Sequence, residues 1–212
     1  MSVSELSTST QNYLKAIWGL KEWSSEPVTA TLIAKQLGLK LSSVSDAVRK
    51  MAKQGLVSHT PYGSVELTEL GRQYALVMVR RHRLLESFLV QALGYTWDEV
   101  HNEAENLEHA VSDMLIERVD KFLDYPTRDP HGDPIPTVDG QVTIPSAHRL
   151  TDSGAQSQVT VERISDSDPQ LLKFLEERGI VTGAVLSTRE GAPFSDSLEI
   201  QVAGGTQWVV LG

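Results

Sequence analysis

Four of the chain's nine prolines fall in one seventeen-residue stretch, DYPTRDPHGDPIPTVDG at positions 124–140. Proline fixes φ and lacks an N–H donor, so neither a helix nor a central strand can run through such a stretch. A domain boundary is therefore expected between about residues 125 and 155. The patterning changes across it: apolar residues recur at helical spacing ahead, while VTVERIS, AVLST, LEIQV and WVVLG behind it read as strands. The predicted class is mainly α with a small, barrel-like β part.

Within the first part, NYLKAIWGLKEW places Tyr13, Leu14, Ile17, Trp18 and Leu20 near helical spacing behind a Ser/Thr cluster suited to capping. This predicts a helix over about 8–23. Thr29 and Gly38 bracket a second short helix, and Ser42 or Ser43 and Gly55 bracket a third. LVSHTPYGSVELTELG then alternates about a Pro-Tyr-Gly turn, the pattern of a β-hairpin. Helix, short turn, helix and hairpin make a winged helix-turn-helix. The chain is helical again from Thr68 to Gly94, and a long helix is expected from about Trp97 to Leu123. Along it Val100, Ala104, Leu107, Val111, Met114 and Leu115 form an apolar stripe for which a second subunit is the expected outlet. Beyond the prolines, Asp168 caps and Pro169 opens one helix among the strands.

The chain contains no cysteine, so disulfides, zinc-thiolate sites and thiol nucleophiles are excluded, and any metal must be held by His, carboxylate and carbonyl groups. No apolar run approaches the ~20 residues that cross a bilayer, and MSVSELSTST lacks the basic and apolar regions of a signal peptide. A soluble cytoplasmic protein is expected. The net charge of −9 is uneven: residues 1–73 hold eight Lys/Arg against six Asp/Glu, residues 74–140 six against thirteen, and residues 141–212 five against nine. Nucleic-acid binding is thus permitted at the amino-terminal end only.

The acidic stretch HNEAENLEHAVSD spans residues 101–113. Read as a helix advancing about 100° per residue, it puts His101, Glu105, Glu108 and His109 in one arc away from the apolar stripe. On the preceding helix His82 and Glu86 are four apart and share a face. Two such faces can converge on a divalent ion, with carboxylates and imidazoles suiting Mn2+, Fe2+ or Co2+. Three readings stand side by side: a metal cage, a solvated acidic face, and a carboxylate-bridged di-metal redox enzyme, which draws on four helices with Glu-x-x-His pairs. The third predicted helix offers Ser42, Ser43, Ser45, Asp46, Arg49 and Lys50 around its exposed amino-terminal face, with Lys40 just ahead, and Arg80, Arg81 and Arg83 extend the positive surface. Hydroxyls at a helix amino terminus suit phosphate and base-edge contacts. A winged helix can also serve protein contacts, or sense an organic ligand.

The order of parts, winged helix-turn-helix, RRHRLLESFL, VHNEAENLEHAVSD, DPHGDPIP and a small β-domain, resembles the diphtheria-toxin-repressor family of metal-dependent transcriptional regulators, including its manganese-repressor branch, over essentially the whole chain. The resemblance implies a non-enzymatic homodimer that binds palindromic operator DNA when loaded with metal. It also implies a winged-helix DNA-binding domain at 1–73, a helical dimerisation and metal-binding domain at 74–142, a linker at 143–156 and an SH3-like β-barrel at 157–212. Its primary metal site maps onto Asn12, Glu105, Glu108 and His109. Its ancillary site maps onto His82, Glu86 and His101 with Asp168 from the β-domain, and with Gln170, Asp129 and His131 as further candidates. A carboxylate at Glu105, where iron-responsive members have Cys, points to Mn2+ ahead of Fe2+. Asn12 stands where those two branches carry Met or Asp, and its amide oxygen is a neutral, weaker ligand.

Overall fold

A computed structural model of the 212-residue chain describes residues 3–60, 63–154, 156–192, 194–195 and 197–212. The chain divides into two compact units, one of Met1–His82, Leu107–Ser112 and Pro136–Val142, the other of Arg83–Asn106, Asp113–Ile135 and Thr143–Gly212.

In the first unit, helix α1 (Thr8–Trp23) starts where the Ser7 hydroxyl accepts the Thr10 N–H. Helix α2 (Ala30–Leu37) is capped by the Thr29 hydroxyl and stopped by Gly38, whose φ of +64° a residue with a Cβ rarely adopts. Helix α3 (Leu41–Lys53) begins slightly ahead of the expected serines: Lys40 holds the cap position without a side-chain bond, leaving Ser42 and Ser43 exposed in the first turn. Strands β1 (Val57–His59) and β2 (Val65–Leu67) pair antiparallel with Val57 opposite Leu67 and His59 opposite Val65; the predicted turn at Pro61 and Tyr62 lies outside the described residues. Helix α4 (Glu69–Leu93) follows. Leu14, Ile17, Ile33, Val44, Val48, Met51, Val57, Val65, Ala75 and Met78 form one buried cluster. At roughly 1.5–3 kcal/mol per large buried apolar side chain, this core fixes α3 with its polar face outward.

The second unit takes α4 from Arg83 and adds α5 (Trp97–Leu107) as far as Asn106, α6 (Asp113–Phe122), α7 (Pro169–Glu176) and an antiparallel sheet in the order β3 (Gln158–Thr160), β4 (Val185–Glu190), β5 (Leu198–Val202), β6 (Val209–Leu211). Leu172 and Leu175 of α7 pack with Leu186 and Ile200 of the sheet and with Trp97 of α5. Two expectations fail here. Among the described residues the sheet is open rather than a barrel, because β3 and β6 are three residues each and bond only to β4 and β5 respectively. The single helix expected from Trp97 to Leu123 is also interrupted. The Ala110 and Val111 N–H groups both turn back to the Leu107 carbonyl, Glu108 is fully buried, and the chain restarts as α6 with Asp113 in its first turn, a position the helix dipole favours. The apolar stripe is split accordingly, with Val100 and Ala104 buried and Met114 and Leu115 exposed.

The proline-rich stretch is irregular, as its sequence requires, yet much of it is interior: Asp129, His131, Asp133 and Ile135 are all buried. No helix among the described residues is long and apolar enough to cross a membrane.

Candidate metal centres and nucleic-acid interface

In the first unit the donors gather around Glu108. Its carboxylate lies 2.6 Å from Nδ1 of His82, which therefore carries the proton and donates, and both of its oxygens accept from the Lys15 ammonium at 2.7 and 2.8 Å. Burial raises the Glu108 pKa, but the His82 bond and the Lys15 charge outweigh it and hold the carboxyl below its usual range. Next to it, Nε2 of His109 is 3.5 Å from Glu108 Oε1.

Gln11 shows that Nδ1 of His109 carries a proton. Its amide nitrogen donates to the carbonyls of Val3 and Leu6 at 2.9 and 3.0 Å, so its oxygen is the atom 2.6 Å from His109 Nδ1 and must accept. His109 thus donates through Nδ1 and turns Nε2 toward Glu108, the arrangement in which a second group orients a metal-ligating imidazole. Asn12 follows Gln11 on α1, and its Oδ1 is buried without a hydrogen-bond partner. Such an oxygen is costly unless an ion or donor reaches it, so the donor set of this unit fits a divalent cation.

The second unit gathers a different set. Nδ1 of His101 on α5 lies 3.3 Å from Glu86 of α4 and 3.1 Å from Asp166, with Glu105 one turn along α5 at 3.8 Å from Nε2. Burial lowers the His101 pKa, but the bonds and charges of Asp166 and Glu86 more than reverse this and push it up to about 10. Glu86 also clusters with Asp129 and His131, all three buried, with one ligand atom from each within 4.8 Å of the others. Asp129 is held by its own turn: its Oδ1 accepts the N–H groups of His131 and Asp133. Gly132 completes that turn at φ +89°, where a Cβ would strike the Glu162 carbonyl. Burial, then the negative charges of Glu86 and Asp133, push the Asp129 carboxyl well above its usual range despite Arg83. Both ring nitrogens of His131 are buried without a hydrogen bond, and Glu86 Oε2 is 4.0 Å from Nδ1. Crowded carboxylates beside an unbonded imidazole also fit a cation.

Asp168, the expected contribution of the β-domain, does not join this set. Its Oδ1 caps α7 by accepting the N–H groups of Gln170 and Leu171, and both Asp168 and Gln170 are exposed; Asp166, two residues earlier, meets His101 instead. On α3, Lys40, Ser42, Ser43, Asp46, Arg49 and Lys50 are all exposed, with Asp46 and Arg49 paired to each other. Ser45 bonds the Leu41 carbonyl of its own helix. Arg81 and Arg83 do not extend this surface, because both are buried: Arg81 donates to the Glu108 carbonyl and Arg83 to Asp133.

Residues 5–65 match the N-terminal DNA-binding domain of iron-dependent repressors, residues 68–137 match the metal-binding and dimerisation domain of the same repressors, and residues 148–212 match the FeoA domain. The iron-dependent repressor IdeR of Mycobacterium tuberculosis is 35% identical over 194 residues, covering 86% of this chain and 84% of that one. The chain belongs to the iron-dependent repressor family. Members of this family are metal-dependent transcriptional repressors, and the diphtheria toxin repressor of Corynebacterium diphtheriae is 36% identical over 137 residues, 65% of this chain and 60% of that one. Among solved structures, a manganese-dependent transcriptional repressor in complex with manganese is similar at TM-score 0.88 and 50% identity, covering 96% of this chain and 94% of that one. The manganese regulator SloR is similar at TM-score 0.79 and 34% identity, covering 95% and 92%. Within this repressor architecture, Gln11, Lys15 and Asp166 are the contacts that reading the sequence missed. Only Asp166 had a local signal, since Pro169 already commits Asp168 to capping.

Proposed function

We propose that the chain is a Mn2+-responsive repressor, with Fe2+ as the alternative ion, that binds palindromic double-stranded operator DNA as a cytoplasmic homodimer and controls metal-homeostasis genes. The observation that carries this reading is the chemistry of the donors. Glu108, His109 and Asn12 in one unit, and Glu86, Asp129, His131, His101 and Asp166 in the other, offer oxygen and imidazole nitrogen without sulfur. Hard oxygen donors favour Mn2+ relative to softer ions more than a thiolate would. The family match supports a repressor over the di-metal redox enzyme and over a sensor of organic ligands.

A bound divalent ion supplies the positive charge that lets neighbouring carboxylates, imidazoles and an amide oxygen share one point. The protein supplies the rest. Gln11 fixes the His109 ring, the helix break brings Glu108 inside, and Asn12, with its buried Oδ1, follows Gln11 on α1, the helix that packs with α3 in one core. Holding α1 in place thereby constrains the reading face of α3, so metal and operator affinities are reciprocally coupled. Leu93, Met114, Leu115 and Phe122, all exposed, support an apolar contact between subunits. With two heads fixed, half-sites are spaced by about one helical turn or a multiple of it.

The test is a gel shift with a palindromic upstream sequence across Mn2+, Fe2+, Co2+ and Zn2+ with a chelator control. His109→Ala and Asp166→Ala are expected to need more Mn2+ for the same shift, while Asp168→Ala behaves as the parent. A His109→Ala protein that binds operator like the parent at limiting Mn2+ would overturn the reading.

A further inference from the structure

The ammonium of Lys15 sits where a cation bound by Glu108 has to sit. It is 2.7 and 2.8 Å from the two Glu108 oxygens and 3.4 Å from Nδ1 of His82. A divalent ion ligated by oxygen approaches to about 2.0–2.6 Å, so it and the ammonium cannot both face this carboxylate without close like-charge contact. Glu108 is fully buried, whereas the Lys15 side chain is 16% exposed, so of the two partners it is the lysine that reaches solvent. Lysine also has the four-carbon stem and the strong hydration of its head that make an outward swing feasible.

We propose that Lys15 is a built-in competitor for the metal: its ammonium neutralises Glu108 in the metal-free protein and must swing out when a divalent ion binds, which raises the ion concentration at which the site fills. This rests on Glu108 and His109 being metal ligands. The same displacement precedes binding of every divalent ion, so Lys15 sets the threshold of the response and leaves the order of preference among metals to the ligands. Asn12 acts in the same direction, contributing a neutral oxygen where a carboxylate would add attraction. The contact also ties α1 to the turn after α5 in the absence of metal, so the ion exchanges one cationic link for another.

The test is metal titration of the full-length chain by competition with a fluorescent chelator, using Mn2+ and Co2+ separately. Parent, Lys15→Met, Lys15→Gln and Lys15→Arg are compared, and His109→Ala identifies which class of sites belongs to this cluster. In both neutral variants that class is expected to tighten at least about tenfold for each metal, equivalent to about 1.4 kcal/mol. Lys15→Arg should stay within a few-fold of the parent, and the other class should not move. Two neutral variants guard against one that folds poorly, with circular dichroism as the check. Unchanged or weaker binding in the folded neutral variants overturns the proposal while leaving the ligand assignment standing. Should His109→Ala remove no class of sites, the ligand assignment fails and the proposal with it.

Discussion

The two donor clusters use the same chemistry and balance their charge in opposite ways. Around Glu108 the carboxylate is satisfied internally, by the Lys15 ammonium and the His82 N–H, and its pKa is held down. Around Asp129 the carboxylate faces Glu86 and Asp133, Arg83 only partly compensates, and the pKa is pushed up. The first cluster is stable without an added cation and must be opened to accept one. The second is under electrostatic pressure that an added cation relieves. Burial alone therefore does not define a metal site; the sign of what already surrounds the carboxylate decides whether an ion relieves repulsion or displaces a partner.

The largest expected effect falls on the first cluster. Glu108→Ala leaves the half-buried Lys15 beside His82 with no carboxylate, so metal-free protein should lose about 3 kcal/mol in urea unfolding, the low end for a broken buried pair because the Lys15 side chain is partly exposed. A smaller effect of opposite sign is expected in the second. Asp129→Asn keeps an oxygen for the two N–H groups of its turn and removes the repulsion with Glu86, which should stabilise the metal-free protein by on the order of 1 kcal/mol and lower the number of Mn2+ ions bound. Destabilisation in both cases would erase the contrast between the clusters. The smallest effect is a pH dependence. His101 has a folded pKa of about 10 against an ordinary 6.5, so its contribution is fully present below the unfolded value and is lost as pH rises through the folded one. The thermal midpoint of metal-free protein should fall between about pH 6.5 and 10, and His101→Gln should flatten that fall. An unchanged slope in the variant would show that the Glu86 and Asp166 contacts do not form in solution.

Helix α1, the stop at Gly38, the hairpin strands and the cap at Asp168 were all legible, because each depends on residues within a few positions of one another. The break after Leu107 was not, since ENLEHAVSD carries neither Gly nor Pro; what ends the helix is the burial of Glu108 against residues from α1 and α4. Asp166 was hidden for a related reason. In SDSDP two neighbouring carboxylates could each cap or reach across, and Pro169 assigns Asp168 to the cap, leaving Asp166 to face His101. Lys15 reads as a solvent-facing lysine of an amphipathic helix until its partner, 93 residues away, is known.

The orientation of the His109 ring depends on the Gln11 amide, and the Gln11 amide depends on two main-chain carbonyls, those of Val3 and Leu6. If His109 ligates the ion as proposed, the segment ahead of α1 acts on the metal site although it offers no ligand. Removing residues 3–6 would take away both carbonyls, let that amide rotate and loosen its hold on the His109 ring. Mn2+ affinities measured with and without residues 3–6 are accordingly expected to differ.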